Sequence, residues 1–147
     1  MQPETADARG AQGERSPKIG LLLSAIGYPA RVPQGGLSTT LLVDGSEIVV
    51  RDTGRGLRLE SRLPGDDSSL PRLAGYAAGR MLRDDAVLSC DAVGAFLWRE
   101  MPSGADAGTM QSVFESFADS CDWWRARLEE ADAGGGASQF PEMVIRP

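Results

Sequence analysis

Hydrophobic and polar positions along the chain change period several times, and each change marks an element. From Leu37 to Leu63 the pattern reads as three short strands, Leu37–Asp44, Ser46–Thr53 and Gly56–Leu63. Asp44-Gly45 separates the first two, and an Asp-Gly pair between apolar runs signals a tight type I′ hairpin, whose central residues need positive φ. Thr53-Gly54-Arg55-Gly56 turns the chain into the third strand. That strand alternates, with Leu57, Leu59 and Leu63 on one face and Arg58, Glu60 and Arg62 on the other. Leu41-Leu42-Val43 and Ile48-Val49-Val50 do not alternate; they are apolar on both faces, as strands covered on both sides are.

Helical spacing flanks this meander. Ile19, Leu21, Leu22, Leu23, Ala25 and Ile26 predict a short helix over Lys18–Tyr28, capped by Ser16, with Pro17 in its first turn and Gly27-Tyr28-Pro29 as its stop. Its apolar residues wrap most of the way round. Arg31–Gly36 then reads as a loop. After a turn at Pro64-Gly65-Asp66-Asp67, Leu70, Leu73, Ala74, Ala77, Ala78, Met81 and Leu82 recur at spacings of three and four and predict a second helix, started by Ser68 or Ser69. Gly75 and Gly79 weaken it by about 1 kcal/mol each relative to alanine, so packing must hold it. Ala86–Cys90 and Ala95–Met101 form a second hairpin, with Phe96 and Trp98 sharing one face of the later strand. The longest helical stripe, Met110, Val113, Phe114, Phe117, Cys121, Trp124 and Leu128, predicts a helix over Asp106–Ala131, capped by Asp106 and ended by Gly134-Gly135-Gly136.

The order is helix, three strands, helix, two strands, long helix: an α+β fold with a twisted antiparallel sheet flanked by helices. Residues 1–17 read as a disordered extension, 18–131 as one domain and 132–147 as a flexible tail carrying Met143-Val144-Ile145. Phe114, Phe117 and Trp124 of the long helix are expected to cover one face of the sheet. The other face, together with the short first helix, is where a second chain is expected to lie.

Composition narrows the chemistry. A chain of 147 residues with 41% apolar content suits one globular domain. A net charge of −6 disfavours nucleic acid and anionic membrane surfaces, which call for basic patches. No apolar run is long enough for a transmembrane helix, and the acidic N-terminus lacks the apolar core of a secretory signal. Cys90 and Cys121 read as two free, mostly buried thiols in a reducing compartment. The chain has no histidine, so the commonest general base and metal ligand are missing. Cys90-Asp91 therefore reads as a thiol at a strand end, Asp66-Asp67 and Asp84-Asp85 as turn and capping acids, and the glycine clusters as turns without phosphate-loop context. No catalytic residue, metal site or cofactor is expected. Trp123, about 100° round the long helix from Trp124, reads either as the edge of the core or as an interface aromatic.

With these elements in place, the chain resembles the type III secretion chaperones of the Tir chaperone family, whose usual order is α-β-β-β-α-β-β-α. The similar stretches are Leu41–Gly45, Gly56–Pro64, Val87–Gly94 and Phe117–Leu128, and the resemblance spans Lys18 to Ala131. The middle helix departs from it in being rich in glycine and alanine. The resemblance implies a non-catalytic homodimer of the bacterial cytoplasm. Such a protein binds the N-terminal segment of type III effectors, keeps it secretion-competent and delivers it to the secretion apparatus, with the secretion ATPase as a further partner. By position, effector contact falls on Leu22, Ile26, Leu41, Val43 and Val49, and the dimer interface on Leu73, Tyr76, Ala77, Arg80, Phe96 and Trp98. Two other readings stay open: a small enzyme or ligand-binding α+β domain, and a structural subunit that buries the same apolar surfaces permanently.

Overall fold

A computed structural model of the chain describes residues 16–28, 36–65, 70–80, 83 and 85–135. Residues 1–15 of the N-terminal extension, most of the Arg31–Gly36 loop, the Ser68/Ser69 cap and the tail beyond Gly135 fall outside the described residues, whereas Ser16 and Pro17 belong to the folded part. Within them lie α1 (Pro17–Ile26), β1 (Ser38–Val43), β2 (Ser46–Asp52), β3 (Leu57–Arg62), α2 (Leu70–Arg80), β4 (Val87–Cys90), β5 (Ala95–Glu100) and α3 (Ala107–Gly135). The expected order and the α+β class hold. All strand pairs are antiparallel, in the spatial order β1-β2-β3-β5-β4.

Local chemistry explains the boundaries. Asp44 and Gly45 both take positive φ, 51° and 87°, as the type I′ turn requires. Ser16 caps α1 by accepting from the backbone N–H groups of Lys18 and Ile19, and it donates to Asp52 at the end of β2. Gly27 ends α1 in the left-handed conformation, with Tyr28 N–H returning to the Leu23 carbonyl. Asp106 caps α3 by accepting from Thr109 N–H. The described helix runs to Gly135, four residues past Ala131, and includes the first two glycines of the triplet expected to end it.

Register assigns every strand residue to a face. Leu41 pairs with Ile48, Val50 with Leu59, and Ser61 with Leu97, so these share one face, and all are buried. Ile19, Leu22 and Leu23 of α1, Leu73 and Ala77 of α2, and Val113, Phe114, Phe117, Cys121 and Trp124 of α3 join them in one core. The three helices therefore cover one face. The expectation that α1 lies with a second chain on the other face is corrected. Leu22 and Leu41 have no exposed surface, so neither offers a contact to a partner in this conformation. The physical reason is that α1 packs along α3 and across β2, closing the core that α3 alone would leave open. The nearly continuous apolar run of α1 marks this double burial, with Leu21 alone of its leucines turned outward, 61% exposed.

The 29-residue α3 is about 43 Å long at 1.5 Å per residue, against roughly 20 Å for a six-residue strand. It outruns the sheet. Arg125 reaches the β1–β2 turn and donates to the carbonyl oxygens of Asp44 and Gly45 at 3.1 and 3.4 Å, tying the helix to the sheet end.

Candidate functional site: the bare face of the sheet

The face turned away from the helices carries Thr40 and Leu42 of β1, Glu47, Val49 and Arg51 of β2, Arg58, Glu60 and Arg62 of β3, Phe96 and Trp98 of β5, and Val87 of β4. Each is at least partly exposed, whereas nearly every partner one position along its strand is buried. Alternation by two residues produces this contrast from a sequence that looked apolar on both sides. Leu42, on edge strand β1, is 63% exposed. Val49 is half-buried between Thr40 and Glu60.

Two arginines dress the aromatic residues. Arg62 lies opposite Phe96 in register, and its guanidinium sits 4.9 Å from the ring centroid. Arg58 is diagonal to Trp98 across the β3–β5 pair and sits 4.1 Å from its ring, within the reach of long side chains on one sheet face. The Trp98 indole N–H donates to Ser89 Oγ at 2.8 Å, which fixes the ring against β4. Glu60 ties Arg51 and Arg58 together at 3.1 and 3.3 Å. Arg62 also grips Asp91 with both terminal nitrogens, one at 2.7 Å to Oδ1. Asp91 in turn accepts from the N–H groups of Val93 and Gly94. Chiefly through the Arg62 hydrogen bonds, the Asp91 carboxyl is held well below the usual carboxylate range. The face is thus apolar in patches, each of its arginines is paired with a carboxylate, and its aromatic rings are held in place by the chain's own side chains.

The residues expected at a dimer interface divide between this face and α2. Phe96 and Trp98 are on the bare face. Leu73 and Ala77 are buried against the core of their own chain, so they are not available as surface contacts, which corrects that expectation. Tyr76, 36% exposed, meets Trp123 and Trp124 edge-on at 6.2 and 6.4 Å. Arg80 and Arg127 stack on Trp123 at 4.5 and 5.0 Å. Trp123 is therefore the rim of the core, wrapped by its own chain. Of the remaining residues expected at an effector site, Ile26 and Val43 are half-buried and packed on the core, and only Val49 belongs to the bare face.

Sequence reasoning did not single out Leu42, Arg58 or Arg62 as site residues. The alternation of the third strand carried the signal, since it puts both arginines on the face opposite Leu57 and Leu59. The thiols also separate: Cys121 is buried among core residues, which pushes it up to about 11, while Cys90 is exposed at the end of β4, not buried as expected. Among the described residues, no cluster of three or more histidine, cysteine or acidic side chains could hold a metal ion, and no helix is long and apolar enough to cross a membrane. Compared with known proteins, the sequence matches no family model and none of the curated proteins.

Proposed function

We propose that this protein is a non-catalytic binding protein for extended segments of partner chains, working as a type III secretion chaperone on the N-terminal regions of effectors. The observation that carries this reading is the one-sided packing of the sheet. All three described helices lie on one face, and the other presents Val49, Phe96 and Trp98 beside the exposed Leu42 on an edge strand. A segment bound there in extended form gains modest contacts along its whole length and loses chain entropy as it orders. The element order, which is that of the chaperones the sequence resembles, supports the same reading. The effector site then moves from Leu22 and Leu41 to Leu42, Val49, Phe96 and Trp98. For a homodimer, the surface left on α2 is Tyr76 with the exposed Ala74, Gly75, Ala78 and Gly79.

The test is co-expression with N-terminal segments of the secreted substrates of a type III system encoded in the same genome, followed by light scattering on the purified complex. The expected product is a dimer of this chain holding one substrate segment. A chain that stays monomeric and retains none of these segments contradicts the proposal.

A further inference from the structure

At the end of the sheet away from the β1–β2 turn, α1, the β2–β3 turn and the β5–α3 connection leave a hollow of about 220 Å3. Leu57, Met101 and Met110 line it, and Leu21 of α1 stands at its lip. Its rim is cationic: Lys18 on one side and Arg55 on the other. Lys18 is partly neutralised by Asp52, 3.7 Å away. Arg55 is exposed and makes no hydrogen bond or ion pair with other described residues.

Three features narrow the occupant. The volume is below the roughly 300–1,000 Å3 of pockets for whole small molecules, so it suits one large apolar side chain. Two methionines in the lining give a wall that adapts to side chains of different shape. In a chain of net charge −6, a rim with an arginine that pairs with no other described residue favours an acidic neighbour on the incoming ligand. We infer that this hollow is an anchoring subsite for a peptide segment of a partner protein that presents a large aliphatic residue followed by an aspartate or glutamate: the aliphatic side chain enters between Met101 and Met110, and the carboxylate meets Arg55. The inference rests on the peptide-binding role proposed above and names what the bound segment must carry.

The test uses the full chain with labelled methionine methyl groups, titrated at low salt with acetyl-leucyl-aspartyl amide and with acetyl-leucyl-lysyl amide. The expected result is saturable shifts at the Met101 and Met110 methyls. The aspartyl peptide should bind about threefold more tightly, as befits one exposed ion pair, and Arg55→Glu should invert that order while leaving the rest of the spectrum in place. Leu21→Ala, also at an exposed position, should weaken both peptides. Silent methionine methyls, or the same charge preference in the wild type and in Arg55→Glu, overturn the inference. Methyls that stay silent while a type III substrate segment is captured overturn the subsite and leave the chaperone reading standing. Saturable binding here, in a protein that captures no such segment, upholds the subsite and overturns the chaperone reading.

Discussion

Trp124 and Trp98 sit on opposite sides of one sheet and have opposite surroundings. Trp124 is 1% exposed, packed among Phe117, Leu128 and the inward strand residues. Trp98 is half-buried, held by one hydrogen bond and one arginine, with no layer of the described chain above it. The same residue type thus serves the fold on one face and stays half-exposed on the other. Burial that is complete within the chain stabilises the chain; burial left half-finished is surface available for binding.

Substitutions on the two faces should separate these roles, and the largest effect belongs to the helix-covered face. Trp124→Ala removes a fully buried indole and should cost about 3–5 kcal/mol, and Leu41→Ala about 2–5 kcal/mol. Both should appear as a large fall in the chemical denaturation midpoint. Trp98→Ala loses an arginine stack and a cross-strand contact and should cost only about 1 kcal/mol, yet it should weaken capture of an effector segment by tenfold or more in a titration. If Trp98→Ala destabilises the chain as much as Trp124→Ala, the distinction between the faces is wrong. Ser16→Ala comes next, at about 1 kcal/mol for a lost helix cap, because α1 closes the core and Ser16 also ties it to Asp52. Its measurement is thermal melting beside the wild type.

A smaller effect should follow acidification. Asp91 is held below its ordinary range by Arg62, Asp52 by the Ser16 hydroxyl and the Gly54 N–H, and Asp106 by Thr109. A depressed carboxyl adds stability that is present above its unfolded value and is lost as pH falls through its folded value, so the loss lies below about pH 4. Asp91→Asn should therefore be less stable than the wild type at pH 7 and should lose less between pH 4 and pH 2. Equal acid slopes in the two proteins would contradict the role given to the Arg62–Asp91 pair. The thiols give the mildest comparison. In native protein at pH 8, Cys90 should react promptly with a disulfide reagent and Cys121 only after unfolding.

Much of this was legible in the sequence because it is local. Asp44-Gly45 dictates its turn by the φ values it permits, Ser16-Pro17 and Asp106 announce helix starts, and the stripe from Met110 to Leu128 repeats at helical spacing. The outward apolar residues, Leu42 in Leu41-Leu42 and Val49 in Val49-Val50, also have local meaning, since an outward strand position is usually polar. The long helix was expected over one face and lies there, but the seat of α1 and the state of the other face were not legible, because they depend on contacts far apart in sequence. The apolar wrap of α1 announced burial on several sides, but only its seat between α3 and β2 shows that Leu22 faces inward and Leu21 outward. Likewise, the aromatic pair Phe96 and Trp98 could be placed on one face by alternation. That Arg62 and Arg58 stand over them follows from the β3–β5 register, which joins strands separated by the whole of α2 and β4.

Val49→Asp gives the most direct test of the idea that the bare face is the binding surface. Val49 lies between two residues that are fully buried on the other face, Ile48 and Val50, so a charge there addresses one side of the sheet only. The expected result is a protein whose melting temperature stays within a few degrees of the wild type and which no longer retains an effector segment on co-purification. A variant that fails to fold would place Val49 in the core, and a folded variant that captures the segment as well as the wild type would move the binding surface elsewhere.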